Sequence, residues 1–196
     1  GTRPIGIPAA LRRLAGRVLM AAYSEEMGKF FTTTPVPPEM LVAAGHAPDR
    51  RCHVPQQLGV GVKGGAEIIV AGTRVHLGMN PGHAVASDDK KNGFNTMSRR
   101  AIFRGLRRWF PELIPTVRLW YARRGNLFTF GELATDADGR AYYSEEGCAQ
   151  GDPLGPFLWS IGYHEALLEQ QAHHPDTLVY ACLLYTSPSP RDSDSS

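Results

Sequence analysis

The sequence has few of the features that mark secreted, membrane-spanning or fibrous proteins. Its three cysteines, Cys52, Cys148 and Cys182, fit neither a disulfide framework nor a zinc template, so we expect a reducing, intracellular compartment. No apolar run approaches the roughly 20 residues of a membrane span, and the N-terminal residues show no secretory signal; we therefore expect no membrane partner. Contents of 42% apolar and 20% charged residues are typical of globular proteins and exclude collagen-like, coiled-coil and wholly disordered chains.

The order of the predicted elements favours a mixed fold. The chain has 196 residues, enough for one domain with a sizeable core. A helix is predicted over 8–23, because Leu11, Leu14 and Val18 recur at helical spacing and form an apolar face opposite several arginines. Helices and short strands then follow without a regular βαβ repeat, so we predict an α+β fold.

Other boundaries are predicted from capping and turn residues. Ser98 is predicted to cap a helix whose apolar stripe includes Ile102 and Leu106. Asp152-Pro153 is predicted to start a helix that runs to about His173. The remaining predictions are a long connection at 32–55, a strand or helix at 67–77, a short strand at 84–89, a helix at 116–123, a hairpin formed by 126–134 and 141–144, and a strand at 177–181.

A basic stretch lies in the middle of the chain. Eight arginines and a single acid, Glu112, lie from Arg99 to Arg124, which gives a local net charge of +7 in a chain of net charge +2. Aromatic residues are interleaved with the arginines, a pattern typical of proteins that bind a phosphate backbone. The alternative interpretation is a solvated helix face.

Two further patterns are weak indicators of function. The segment 59–64 has the glycine spacing of a dinucleotide-binding loop, but the residues before it are polar and contain a proline instead of forming a buried strand. Turn glycines are therefore the favoured interpretation. His46, Cys52 and His53 lack a fourth metal ligand, so we interpret their proximity in sequence as incidental.

Two other segments are more informative when they are considered together. Asp89 ends a short apolar run, and the motif 92–95, Asn-Gly-Phe-Asn, comes closely after it. In a strand, Asp88 and Asp89 would point to opposite faces, so only one of them could enter a given site. The second segment, 146–156, opens a predicted helix with glycines that let a ligand or another backbone approach closely.

Five segments occur in an order typical of one polymerase family. They are Arg3-Pro-Ile, the arginine-rich helix after it, Gln57-Leu-Gly-Val-Gly, Asp89-x-x-Asn-Gly-Phe-Asn and Gln150-Gly-Asp-Pro-Leu-Gly-Pro. In these residues the chain resembles a reverse transcriptase of the non-LTR retrotransposon type over 1–181. The resemblance implies a partial right-hand polymerase, the palm with part of the fingers, without the thumb or the upstream fingers.

The implied reaction is RNA-directed DNA synthesis. The 3′-hydroxyl of a DNA primer attacks the α-phosphate of a deoxynucleoside triphosphate opposite an RNA template, with two Mg²⁺ ions stabilising the displacement. Asp89 is implied as the catalytic metal ligand, since Mg²⁺ prefers carboxylate oxygens, and Phe94 as the gate that excludes a 2′-hydroxyl. Substrate binding is also implied for Arg3 as a triphosphate clamp, for Asn92 and Gly93 through backbone N–H groups, and for Gln150 and Gly151 as pocket lining. Gly93 stands where relatives often carry alanine.

The C-terminal end departs from the family pattern. The resemblance leads us to expect a hairpin with an aromatic-x-Asp-Asp motif after Ala181. Instead, eleven consecutive residues from Cys182 fit the translation of a sequencing-library adaptor. We therefore predict that 182–196 is an artefactual, disordered tail on a truncated fragment. The resemblance implies an enzyme, a reverse transcriptase. A polypeptide without the paired aspartates is nevertheless expected to lack polymerase activity.

Two other functions are kept as alternatives. A decayed or domesticated relative would bind RNA or DNA through the basic stretch without catalysis. A nicotinamide enzyme built on 59–64 would require nucleotide-dependent protection of that loop, which we do not expect.

Overall fold

The computed structural model describes residues 10–88, 90, 92–129, 132–149 and 151–182. The described parts of Gly1–Ala22 and Asp88–Gln170 form a first compact unit, and those of Tyr23–Ser87 and Gln171–Ser196 form a second. The predicted tail lies outside the described residues from 183 onward. Among the described helices, none has the length and apolar composition needed to cross a membrane.

Helices account for most of the regular structure. The helices are α1 (Ala10–Thr33), α2 (Pro38–Ala43), α3 (Gly65–Met79), α4 (Gly93–Thr96), α5 (Arg99–Trp109), α6 (Ile114–Tyr121) and α7 (Gly155–His173). One turn of 3₁₀ helix, Pro111–Leu113, leads into α6. The described strands are short: β1 (Gln56–Gln57), β2 (Gly125–Asn126), β3 (Phe128–Thr129), β4 (Glu132–Leu133), β5 (Tyr143–Ser144) and β6 (Tyr180–Ala181).

The strands that the structure describes form three separate pairs. In the second unit, β1 and β6 are parallel, with Gln56 opposite Tyr180. In the first unit, β2 pairs with β5 and β3 pairs with β4, both antiparallel. Asp136 closes the turn of the predicted hairpin, because its Oδ1 accepts the N–H groups of Asp138 and Arg140. The hairpin is confirmed, and its first arm folds further into the β3–β4 pair.

The core of the first unit lies where α5 and α7 meet. Ser98 caps α5 as predicted, since its Oγ accepts the N–H of Ala101 at 3.4 Å, and Ile102 and Leu106 are buried. Gly105 allows the backbones to approach closely, because a Cβ there would lie 2.7 Å from the carbonyl oxygen of Ile161. The predicted end of α7 at His173 is confirmed.

The apolar face predicted for the first helix is wrong. Leu11, Leu14 and Val18 are 81%, 61% and 60% exposed. The opposite face packs instead: Gly16 is buried, and a Cβ there would lie 3.3 Å from Cβ of Pro153. The helix also continues to Thr33 instead of ending at Tyr23, since Met27 and Phe31 give its C-terminal half a buried face in the second unit.

Two further boundaries also differ from prediction. The connection predicted at 32–55 contains α2, which begins after Pro37 with a proline in its first turn. The strand predicted at 84–89 is wrong over 84–88, which are exposed and have no regular structure. An exposed segment gives Val85 no apolar surface to pack against, so a short apolar run alone does not make a strand there. The segment predicted as strand or helix at 67–77 lies within α3.

The glycines at 59–64 pack the second unit and confirm the turn interpretation. Gly61 has φ 68°, and a Cβ there would lie 2.1 Å from the carbonyl oxygen of Ser24 in α1. Gly28 faces the same contact, because its own Cβ would lie 2.7 Å from the carbonyl oxygen of Gly61. Gly64 has φ 71° at the start of α3. The spacing of these glycines therefore has a packing explanation.

Gly61→Ala is expected to destabilise the protein by about 2–4 kcal/mol, because alanine adds both left-handed strain and a backbone clash. Gly72→Ala is the matched control, since Gly72 lies inside α3 and its Cβ would meet the hydroxyl of Tyr180 at an ordinary 4.0 Å. That variant is expected to gain up to about 1 kcal/mol. Urea unfolding measures both, and equal effects would contradict the packing explanation.

His164 makes the stability of the first unit depend on pH. It is buried in α7 with its ring edge-on to Trp109 at 5.0 Å. Burial, and then the charge of Arg108, lower the pKa of His164 from 6.5 to about 4. Between these values the unfolded chain binds a proton that the folded chain does not, so the free energy of unfolding falls as the pH falls through this window.

We expect the wild type to lose about 2–4 kcal/mol more than His164→Gln between pH 7 and pH 4. Glutamine has no proton to gain in this range, so the difference between the two curves isolates His164. Urea unfolding at several pH values gives both curves. Parallel curves would show that His164 is not the titrating group.

Candidate functional site

The structure describes four of the seven residues that the resemblance implicates. Asn92, Gly93, Phe94 and Gly151 lie in the first unit and can be placed. Arg3, Asp89 and Gln150 lie outside the described residues.

The 92–97 segment forms a tight turn. Asn92 has φ 53°, a left-handed conformation that asparagine tolerates better than most residues. Its carbonyl oxygen accepts the N–H groups of Asn95 and Thr96 at 2.9 and 3.1 Å. The N–H of Gly93 donates to the carbonyl of Lys90 at 3.2 Å, so a phosphate at this N–H would replace an internal hydrogen bond.

The glycine at position 93 has a local reason. A Cβ there would lie 3.0 Å from Nε1 of Trp159 in α7, tighter than ordinary contact. A glycine at position 93 therefore suits the close approach of the Trp159 ring.

The two motif segments, far apart in sequence, are joined by backbone hydrogen bonds. The N–H of Cys148 donates to the carbonyl of Phe94 at 2.9 Å, and the N–H of Gly147 donates to the carbonyl of Met97 at 2.8 Å. Gly147 has φ 71°, and a Cβ there would lie 2.3 Å from the carbonyl oxygen of Phe94. The backbones therefore meet at a distance that only glycine permits.

The side chain of Phe94 lies against the start of α7. A Cβ on Gly155 would lie 3.2 Å from Cε1 of the Phe94 ring, so the ring rests on a position without a side chain. Phe94 itself is half-buried. The Phe94 ring is thus supported by the second motif while part of it stays accessible.

Gly151 forms the turn that precedes α7. It has φ 98°, which strongly favours glycine. The N–H of Asp152 donates across this turn to the carbonyl of Ala149 at 3.1 Å. The predicted pocket residue therefore lies in a loop whose shape depends on its lack of a side chain.

Asp152 is the most connected group beside this loop, and its side chain is fully buried. Its Oδ1 accepts the N–H of Leu154 at 3.0 Å, so Asp152 binds the backbone at the entry to α7, but the helix itself begins at Gly155 and not at Asp152-Pro153 as predicted. Its Oδ2 accepts from Arg12 Nη2 at 2.6 Å and from the hydroxyl of Tyr121 at 2.5 Å. This cluster of Arg12, Tyr121 and Asp152, the Asp152 network, links α1, α6 and the start of α7.

The network also holds the backbone at Ala149. The Tyr121 hydroxyl accepts the N–H of Ala149 at 3.1 Å, so it bridges the carboxylate and the loop backbone. Burial, and then the charge of Asp152, raise the pKa of Tyr121 well above its usual value, which keeps the hydroxyl proton available to Asp152. The guanidinium of Arg12 lies over the Tyr121 ring, 4.4 Å from its centre.

Cys148 is a structural residue in this arrangement. Its Sγ lies 3.7 Å from the carbonyl oxygen of Phe94 and 3.5 Å from that of Gly155. Burial, and then the charge of Asp152, raise the pKa of its thiol to about 12. The thiolate is therefore scarce at neutral pH, and Cys148 is unsuited to nucleophilic chemistry.

All but one of the eight arginines in the basic stretch are exposed. Arg99 is half-buried and donates to the carbonyl of Gly147 at 3.0 Å and to Oγ of Ser144 at 2.9 Å, and burial lowers its pKa. Arg104 pairs with Glu165 at 2.6 Å. The exposed arginines of this stretch are Arg100, Arg104, Arg107, Arg108, Arg118, Arg123 and Arg124.

The described carboxylates do not fit a two-metal site. Asp152 is committed to Arg12 and Tyr121, and Asp88 is exposed and pairs with Lys90. Within the described ranges, no three His, Cys, Asp or Glu side chains come together to hold a metal ion.

No sequence pattern indicates the Asp152 network. The sequence predicts Asp152 only as a helix cap and places Arg12 on the solvent side of its helix. Their positions differ by 140 residues, so no local spacing relates them. Gly16 lies one turn after Arg12 on α1, and it is the nearby sequence feature that bears on which face of α1 is packed.

Arg12→Ala is expected to destabilise the protein by about 2–4 kcal/mol, because it leaves the buried Asp152 carboxylate without its cation. Arg13→Ala is the matched control, since Arg13 is exposed on the same helix and should change stability by less than about 0.5 kcal/mol. In an Arg12→Ala background, Asp152→Asn should recover part of the loss, because the buried group is then neutral. Urea unfolding measures all four proteins, and additive losses would contradict a coupled pair.

The chain was compared with protein-family models, curated proteins and solved structures. No protein-family model, curated protein or solved structure matches it.

Proposed function

We propose that the chain is part of an RNA-directed DNA polymerase of the reverse transcriptase type and contributes the surface that binds the incoming deoxynucleotide. One observation carries the proposal: the Asn92-Gly93-Phe94 turn and the loop before α7 pack against each other. These are the two segments that carry the most specific part of the resemblance. A nucleotide pocket built from both segments requires this proximity.

The geometry around Phe94 supports its role in sugar selection. The ring is fixed by Gly155 behind it and by the hydrogen bond from Cys148 to its carbonyl. A ring held in this way is a rigid wall, and a rigid wall discriminates between sugars that differ by one hydroxyl better than a mobile one. Gly151 has no side chain, so a base or a template strand could approach its backbone.

The proposed partners are an RNA template, a DNA primer and deoxynucleoside triphosphates. The exposed arginines of α5 and α6 support binding of the nucleic-acid backbone. Asp89 remains the proposed catalytic metal ligand, and Arg3 and Gln150 remain proposed substrate contacts.

A second candidate is a protein that binds RNA or DNA without polymerising it. The observation in its favour is that the exposed arginines need no metal site to bind phosphates, and the described carboxylates form none. A polymerase binds the nucleotide that is complementary to the template base, whereas a protein that only binds nucleic acid does not select a nucleotide in this way.

A photoreactive deoxynucleotide distinguishes them. The full chain is mixed with an RNA–DNA primer–template and a photoreactive nucleotide in the presence of Mg²⁺. The polymerase proposal expects at least about tenfold more labelling by the complementary deoxynucleotide than by a mismatched one or by its ribonucleotide. Template-independent labelling would support the non-catalytic binder and contradict the polymerase proposal.

Phe94→Ala tests the gate in the same assay. It should bring the deoxynucleotide-to-ribonucleotide ratio close to one, whereas Phe94→Tyr should retain the selectivity because it keeps the ring. Phe103→Ala is the control, since Phe103 is a half-buried aromatic residue on α5 outside both motifs. An unchanged ratio in folded Phe94→Ala would remove Phe94 from the proposal.

A further inference from the structure

Two histidines of the second unit face each other at the end of α3. His76 lies in the last turn of the helix, and His83 comes shortly after the helix ends. Nε2 of His76 and Nδ1 of His83 are 2.9 Å apart, and the ring centres are 5.0 Å apart at an interplanar angle of 48°. Neither histidine belongs to the segments used for the proposed function.

The backbone between the two rings is fixed by hydrogen bonds. The N–H and the side-chain amide of Asn80 both donate to the carbonyl of His76, at 3.0 and 2.9 Å. The N–H of His83 then donates to the carbonyl of Asn80 at 2.9 Å, which closes a turn through Pro81 and Gly82. This turn returns His83 to the helix end, so the two imidazoles are positioned before any ligand arrives.

The spacing of the nitrogens suits a shared metal ion. Two nitrogens on a tetrahedral zinc ion, each at about 2.05 Å, lie about 3.3 Å apart. To bind a shared ion, the observed separation of 2.9 Å would open by a few tenths of an ångström, and each ring would turn so that its lone pair points at the ion. The C-terminal end of a helix also carries partial negative charge, which favours a cation at this place.

The pair can exchange its hydrogen bond for a metal by a change of tautomer. In the observed geometry, one facing nitrogen carries the proton and the other accepts it. If that proton moves to the far nitrogen of the same ring, both facing nitrogens present lone pairs, and no net proton is gained or lost. Neutral imidazole is a common ligand of zinc, copper and nickel.

We propose that His76 and His83 form a two-imidazole site for a divalent ion of the zinc and copper class, with water completing the coordination. The proposal is independent of the polymerase function. His83 is exposed, so the site is open to ions in solution. No further His, Cys, Asp or Glu side chain among the described residues joins the pair as a third protein ligand.

Titration of the full chain with Zn²⁺, followed by calorimetry, tests the site. We expect one saturable site in which His76→Ala and His83→Ala each lower the affinity at least tenfold. Because protons compete with the metal for the imidazoles, lowering the pH from 7.5 to 5.5 should also weaken binding. The imidazole NMR resonances of His76 and His83 should shift on addition of Zn²⁺.

The double variant His46→Ala/His53→Ala is the matched control, because these histidines lie near Cys52 in the sequence and offer another place for zinc. It should retain the affinity of the wild type. His83→Ala alters an exposed turn residue, so its unfolding temperature without metal should remain that of the wild type, and the affinity change can then be assigned to the lost ligand. Absence of saturable Zn²⁺ binding, or equal affinity in wild type and His83→Ala, would overturn the proposal.

Discussion

The first unit is organised around the Asp152 carboxylate, which has no access to water. An isolated buried carboxylate costs several kcal/mol, so it persists only with charged and hydrogen-bonding partners. Arg12 comes from α1 and Tyr121 from α6, and the carboxylate also caps the chain as it enters α7. Three helices are thereby fixed by one group, and the Tyr121 hydroxyl extends the constraint to the N–H of Ala149.

This constraint positions the candidate site. The loop held by Tyr121 continues from Gly147 and Cys148, which are hydrogen-bonded to the turn around Phe94. The two segments meet or turn at three residues that have no side chain, Gly147, Gly151 and Gly155. The proposed nucleotide surface therefore depends on the buried Asp152 carboxylate, and loss of the Asp152 network should displace the backbone around Phe94.

Sequence patterns predict the helix caps and turns that depend on hydrogen bonds between residues close together in the sequence. Ser98 caps α5, Asp152 binds the backbone at the entry to α7 and Asp136 closes its hairpin turn, because each side chain bonds to a backbone group within four positions. The packing face of α1 is not predictable in this way. Helical spacing identifies Leu11 and Leu14 as one face but does not show whether anything covers it, and the partner of Arg12 is distant in sequence. Of the site, the resemblance selects Phe94 and Gly151, whereas the roles of Tyr121 and Arg12 emerge only from the structure.

If these residues come from a reverse transcriptase, as we propose, the coding DNA shows it most directly. A long read of the source DNA, continued past the codon of Ala181, reveals the codons that come after the last residues of the resemblance. We expect these codons to encode an aromatic-x-Asp-Asp turn. If the DNA instead encodes the residues printed from Cys182 onward, both the adaptor interpretation and the polymerase assignment are contradicted, and a nucleic-acid binder without catalysis becomes the better description.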